Sequence, residues 1–118
     1  MLMPLIGEPP ARRRTYAIVW IDETKAIVAR FAREHTIEAI EVPHPRADNL
    51  PDADDLAQVV DLVGGADEVL IMGPESLRTV LEREYVAIFH HPERIVDVET
   101  AHPLSEGQLV ERLRRLGS

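Results

Sequence analysis

The stretch YAIVWI at residues 16–21 decides the fold, because such a dense run of aliphatic and aromatic residues predicts a β-strand. A polar turn at residues 22–25 separates it from a second run at residues 26–31, which is the pattern of a β-hairpin. Residues 36–42 then alternate apolar and polar side chains, which predicts a half-buried antiparallel strand. The three runs together predict a meander of three antiparallel strands.

After these strands the pattern changes to helices that alternate with strands. Apolar residues at helical spacing predict a first helix that ends at Gly64-Gly65. The apolar runs 68–72 and 95–98 predict two further strands, each followed by a helix, and residues 105–108 form a capping box that opens the last helix. The residues expected on the buried faces of the last two helices are Leu77, Val80, Leu81 and Ile88, then Leu109, Val110, Leu113 and Leu116.

The element order β-β-β-α-β-α-β-α predicts an α/β fold with a mixed five-stranded sheet and helices on its faces. The last two strands follow helices, so right-handed crossovers should make them parallel to the first strand or its neighbour. Residues 15–118 are expected to form a single domain. Residues 1–14 are rich in proline and are expected to be an N-terminal arm.

Composition excludes several classes of function. The chain has 118 residues, 4% aromatic residues and a formal net charge of -8, a combination that argues against general nucleic-acid binding. It has no cysteine, which excludes a disulfide scaffold, a thiol nucleophile and zinc sites that use sulfur. No apolar run is long enough to cross a membrane, so we expect a cytoplasmic protein without a membrane partner.

The N-terminal arm carries apolar side chains that have no place in the predicted core, namely Leu2, Met3, Leu5 and Ile6. Burying such side chains is favourable, which predicts that the arm docks on an apolar surface. We expect a homodimer in which the arm crosses onto the partner or covers an edge strand. Two alternatives stay open, an arm that folds back on its own subunit and an undocked leader.

Three segments, residues 17–22, 69–76 and 95–100, resemble the middle domain of archaeal and eukaryotic class 1 peptide-chain release factors. The resemblance is closer still to small bacterial relatives of that domain, which are known as translational machinery components. It implies a ribonuclease-H-like fold and a role in translation.

Release factors hydrolyse peptidyl-tRNA with a Gly-Gly-Gln loop between the third strand and the first helix. Residues 43–51 hold that place here and contain neither glycine nor glutamine, so we expect no release activity.

Two short segments are candidate sites. Asp22 ends the first strand, where nucleases of the ribonuclease-H-like class hold Mg²⁺, and Asp97 and Glu99 could approach it from the last strand. The alternative interpretation, an aspartate that bonds locally within a hairpin turn, is favoured by its position. Gly73, Glu75 and Ser76 lie between a strand and a helix, a place where anions bind, although helix capping explains the same residues.

The sequence therefore predicts a non-catalytic binding module related to a translation-factor domain, with no cofactor. Its partner would be the ribosome, another protein of translation or a second copy of itself. Two alternative functions stay open, a small-anion or nucleotide-binding domain that uses the turn at Gly73, Glu75 and Ser76, and a metal-dependent nuclease that uses Asp22.

Overall fold

A mixed five-stranded sheet with the order β3-β2-β1-β4-β5 organises the structure, a computed structural model that describes residues 15–33, 36–43, 53–99 and 103–116. Strands β1, β2 and β3 form the antiparallel meander, and β4 is parallel to both β1 and β5. The predicted α/β fold class is therefore confirmed. The elements are β1 (Tyr16–Ile21), β2 (Lys25–Arg33), β3 (Thr36–Pro43), α1 (Ala53–Val63), β4 (Glu68–Met72), α2 (Glu75–Phe89), a 3₁₀ turn (Pro92–Arg94), β5 (Ile95–Glu99) and α3 (Glu106–Leu116).

Strand β1 is central because its side chains belong to two separate cores. Ala17, Val19 and Ile21 face the core that α1 and α2 cover. Ile18 and Trp20 face a second core that is closed by Leu109 and Leu113 of α3. Both faces of β1 are thus buried, which explains why its sequence contains a continuous apolar run rather than an alternating one.

The predicted helix ends are confirmed at α1 and α3. Helix α1 stops at Val63, and Gly64 adopts a φ of +63° while its N–H donates to the Val60 carbonyl at 3.1 Å. At α3, the Gln108 N–H donates to Ser105 Oγ at 3.2 Å, and the Ser105 N–H donates to Gln108 Oε1 at 2.8 Å. These reciprocal bonds are the predicted capping box.

The predicted buried faces are confirmed for Leu77, Leu81, Leu109 and Leu113, whereas Val80 and Val110 are half-buried. The prediction is wrong in the last turn of each helix. Ile88 is 43% exposed and Leu116 is 41% exposed, whereas Tyr85 completes the buried stripe of α2. Helix α2 has 15 residues and is about 22 Å long, but the 5 residues of β4 beneath it span only about 16 Å. Its last turn therefore extends past the sheet, and Leu116 is likewise the last residue of its helix.

Some expectations concern residues outside the described part of the chain. The N-terminal arm at residues 1–14 and the proline-rich segment at residues 44–52 lie there. The division of the chain into an arm and a single domain at residues 15–118 therefore stays a prediction. Within the described ranges, no helix is both long and apolar enough to cross a membrane.

The two serines near helix starts provide a matched test of the capping box. Replacing Ser105 with alanine removes an acceptor for the Gln108 amide and should lower the free energy of unfolding by about 0.5–2 kcal/mol. Ser76→Ala is the control, because α2 has no side-chain cap and Ser76 is exposed. Urea denaturation of both variants measures the difference, and equal effects would contradict the assignment.

Candidate functional site

The two candidate segments lie side by side at one edge of the sheet. Asp22 follows β1 and Gly73 follows β4, and the pairing of Trp20 with Met72 aligns these two strands. Because the strands are parallel, their carboxyl ends meet at the same edge, which is where α/β sheets commonly bind ligands. The structure therefore brings together two segments that the sequence could only treat separately.

Gly73 is required by the backbone at this edge. Its φ of +133° is a conformation that side-chain-bearing residues rarely adopt. A Cβ at this position would collide with the carbonyl oxygen of Ile21 and lie 3.1 Å from the carbonyl carbon. The Gly73 carbonyl in turn accepts a hydrogen bond of 2.8 Å from Arg78 Nε. The glycine thus allows close contact between the ends of β1 and β4.

The residues after Gly73 start α2 without a side-chain cap. Pro74 occupies the N-cap position, and its carbonyl accepts the N–H groups of Leu77 at 3.0 Å and Arg78 at 2.9 Å. The turn opens α2 as expected, but no side chain caps the helix, and Ser76 lies inside it. Glu75 and Ser76 are exposed at the helix start, so their assignment to an anion site stays a prediction.

Asp22 holds the β1–β2 hairpin turn. Its Oδ1 accepts the N–H of Thr24 at 2.8 Å, the hydroxyl of Thr24 at 2.9 Å and the N–H of Lys25 at 3.0 Å. Its Oδ2 accepts the indole N–H of Trp20 at 3.1 Å. These are the local bonds of a turn aspartate, the interpretation that its position favours. A cation at Asp22 would compete with these donors.

The hydrogen bonds also set the acidity of Asp22. Burial alone would raise the pKa of this carboxyl group, since a charge is less stable away from water. The donors from Trp20, Thr24 and Lys25 outweigh burial and hold the pKa below its ordinary value. The carboxylate form is thus part of the folded turn.

Asp97 and Glu99 lie on β5, which does not pair with β1, the strand that Asp22 follows. Strand β4 lies between β1 and β5, and in register Asp97 aligns with Leu70 and Glu99 with Met72. Glu99 is therefore level with Trp20 but two strand spacings away, about 10 Å. Among the residues that the structure describes, no three His, Asp or Glu side chains are grouped to hold a metal ion. The magnesium site at Asp22 stays a prediction.

A groove between α2 and β5 is a surface that the sequence did not predict. Its lining residues are Thr79, Glu82, Arg83, Val86, Ala87, Pro92 and Ile95, and its volume is 750 Å³. We call it the α2–β5 groove. It lies beside β5, the last strand in the sheet order, and away from Asp22 and Gly73. Its lining is mostly apolar. No local motif marks it, because it arises from the packing of a helix beside an edge strand.

Comparison with known proteins identifies the fold. No protein-family model matches the chain, and no curated protein is significantly similar in sequence. Pelota from Archaeoglobus fulgidus superposes with a TM-score of 0.59 at 15% identity, over 88% of this chain and 32% of that chain. The Thermoplasma acidophilum Pelota protein gives 0.60 at 21% identity, over 86% and 32%. The chain has the fold of one part of Pelota. It spans about a third of the length of these Pelota chains.

The Pelota likeness agrees with the predicted α/β fold and its mixed sheet. It is a likeness of fold, since identity is low. The resemblance to the small bacterial relatives in particular stays a prediction.

Two glycines offer a matched test of the contact between β1 and β4. Gly73→Val should lower the free energy of unfolding by about 1–3 kcal/mol, because the new side chain collides with Ile21. Gly65→Val is the control, since a Cβ at Gly65 meets no atom within 4 Å. Thermal melting compares the two variants. An unchanged melting temperature for Gly73→Val would show that the turn is wrongly assigned.

Replacing Asp22 with asparagine should make the stability of the chain less dependent on pH. The amide oxygen can still accept hydrogen bonds from Thr24 and Lys25. Its NH₂ group, however, would face the Trp20 indole N–H, so that two donors would meet and the bond to Trp20 would be lost. At pH 7 the variant should be less stable by about 1–3 kcal/mol. Because folding lowers the pKa of Asp22, its contribution is complete well above the unfolded value of about 3.9 and is lost as the pH falls through the folded value.

The measurement for Asp22 is the free energy of unfolding of both chains between pH 7 and pH 3. The difference between them should shrink as the pH falls. Glu23→Gln, at the exposed neighbouring position, is the control and should follow the parent chain. A constant difference for Asp22→Asn would contradict the role of the carboxylate.

Proposed function

We propose that this chain is a non-catalytic binding module of the translation machinery, whose partner is the ribosome or a translation factor. The observation that carries the proposal is the Pelota likeness over 86% and 88% of this chain. Pelota proteins are translation-related and release-factor-like. The sequence resemblance to release-factor middle domains supports the same assignment independently. On this proposal the chain works in the cytoplasm, where translation takes place.

The geometry at the sheet edge favours binding over catalysis. The Asp22 carboxylate is engaged by Trp20, Thr24 and Lys25, so the fold already uses the group that a nuclease would need. Gly73 is packed against the Ile21 backbone, and its carbonyl is bonded to Arg78. Asp22 and Gly73 therefore already have structural partners at this edge.

We expect no peptidyl-tRNA hydrolysis, because the chain has no Gly-Gly-Gln motif. The chain has a single Gly-Gly pair, Gly64-Gly65, and this pair is followed by alanine rather than glutamine. Gly64 ends α1 with a φ of +63°, so the pair serves as a helix terminus. The segment between β3 and α1, where the catalytic loop of release factors would lie, falls outside the described residues.

Charge favours a protein surface as the contact. A net charge of -8 repels phosphate backbones, and RNA contacts through basic side chains weaken steeply with salt. A complex formed through a ribosomal protein or a translation factor avoids this cost. Its affinity should therefore depend only weakly on ionic strength.

The full chain should co-sediment with ribosomes or capture a translation factor. This association should survive a rise in salt from about 50 to about 200 mM, because that range greatly weakens only contacts to phosphate. An unrelated protein of equal net charge is the control for electrostatic carry-over. In a release assay with loaded ribosomes, hydrolysis should not exceed that of buffer. Recovery at control level from both ribosomes and factors would overturn the proposal, and hydrolysis above buffer would overturn its non-catalytic part.

Thermal melting with ligands distinguishes the two alternative functions. Nucleotides and inorganic phosphate test the turn at Gly73, Glu75 and Ser76, and Mg²⁺ or Mn²⁺ tests Asp22. A ligand at a hundredfold excess over its Kd stabilises the folded state by about 2.7 kcal/mol. A shift that Ser76→Ala abolishes would favour the anion site, and a shift that Asp22→Asn abolishes would favour the metal site.

The homodimer stays a prediction from the sequence. The arm on which it depends, residues 1–14, lies outside the described part of the chain.

A further inference from the structure

The two edges of the sheet differ in length and regularity. Strand β5 at one edge has 5 residues, and its pairing with β4 shifts between Val69 and Leu70, features that protect an edge from pairing with other chains. Strand β3 at the other edge has 8 residues, and its pairing with β2 is regular from Ile37 to Pro43. Within the described ranges, no strand pairs with the outer side of β3. This edge therefore offers a regular set of backbone donors and acceptors to a further strand.

The charges that could protect the edge at β3 are neutralised within the chain. Glu38 Oε1 accepts a hydrogen bond from Arg30 Nε of β2 at 2.7 Å, and Glu41 Oε1 lies 3.7 Å from Lys25 Nζ. The strand has no lysine or arginine of its own, and its single proline, Pro43, is its last residue. Lysine and interior proline are the usual means of keeping edge strands apart. A neighbouring strand would therefore meet little repulsion along β3.

Strand β3 is supported on both faces, yet its apolar side chains are incompletely covered. Helix α1 and helix α3 both pack against it. Ile37 and Ala39 pack against the second core, and Ile40 shares a face with Val28 of the first core. Ile37, Ala39 and Ile40 are all half-buried. A strand added beside β3 would cover more of their apolar surface, which is favourable.

We propose that β3 pairs with β3 of a second copy of the chain, antiparallel about a two-fold axis, so that two five-stranded sheets become continuous. Glu38 and Glu41 lie on opposite faces of the strand, because side chains alternate along it. Directly opposite residues of an antiparallel pair share a face. With the axis at Ala39 or Ile40, no glutamate is therefore opposite another glutamate, and apolar side chains meet at the axis.

This self-compatible pattern is the reason that the occupant is a second copy. Any other strand would have to supply its own match to the apolar centre and to the two glutamates, whereas β3 supplies both to itself. The homodimer expected from the sequence would then form through β3, and it would not need the N-terminal arm.

Amide hydrogen exchange, followed by NMR on the full chain, tests the pairing without any substitution. In a monomer, alternate N–H groups of β3 bond to β2 and exchange slowly, while those between them face outward and exchange fast. In the dimer the outward N–H groups are bonded too. Their exchange should slow at least about tenfold when the protein concentration rises about a hundredfold. The outward N–H groups of β5 are the control and should exchange fast at both concentrations.

Each outcome of the exchange experiment decides for or against the pairing. Slowing confined to the outward N–H groups of β3 supports it, and so does protection at every concentration if the chain sediments as a dimer. Fast exchange of these groups at both concentrations would overturn it. Protection in a chain that sediments as a monomer would also overturn it, because a segment of the same chain would then cover the edge.

Sedimentation velocity of a proline variant provides a second measurement. The variant is Ala39→Pro or Ile40→Pro, whichever N–H the exchange data show to face outward, because an edge strand tolerates proline only there. The parent chain should sediment as a dimer and the variant as a monomer, since proline removes a donor and its ring obstructs the added strand. Leu5→Glu is the control and should remain a dimer.

A proline variant that remains a dimer would contradict the proposal, and so would a Leu5→Glu variant that becomes a monomer, which would favour the N-terminal arm instead. If the proline variant does not fold, the exchange experiment on the parent chain still decides. Neither measurement involves a translation partner, so its outcome is independent of the proposed function.

Discussion

The close approach of Gly73 to the Ile21 carbonyl is the contact on which the rest of the arrangement depends. It brings the carboxyl ends of β1 and β4 together, and it does so only because residue 73 lacks a Cβ. The same contact places the start of α2 above the first core and the Asp22 turn beside it. This approach ends the parallel ladder of β1 and β4, through which the antiparallel meander joins the parallel half of the sheet.

Most of the fold could be predicted because its elements are encoded locally. The run at residues 16–21, the helix end at Gly64 and the capping box at Ser105 each rely on neighbours within a few residues, and all three are present in the structure. The exposed ends of α2 and α3 could not be predicted from helical periodicity. Periodicity gives the direction in which Ile88 points, but the length of the sheet beneath the helix decides whether anything covers it.

The candidate site was predictable in part for the same reason. The role of Asp22 as a turn aspartate follows from its place between two strands, whereas its bond to the Trp20 indole requires knowledge of side-chain direction. The contact between Gly73 and Ile21 depends on the order of strands in the sheet, which no local pattern specifies. The α2–β5 groove has a similar origin, because residues from α2 and from the segment after it meet only in the folded chain.

The bond from Trp20 to Asp22 has a practical consequence for spectroscopy. Trp20 is the only tryptophan of the chain, it is 2% exposed, and it lies in the core that Leu109 and Leu113 of α3 close. Its fluorescence emission therefore reports on two events at once. Detachment of α3 would admit water to the indole and move the emission to longer wavelength, while protonation of Asp22 would alter the partner of its N–H group. The molecule thus contains an intrinsic optical probe at the junction of its hairpin and its last helix.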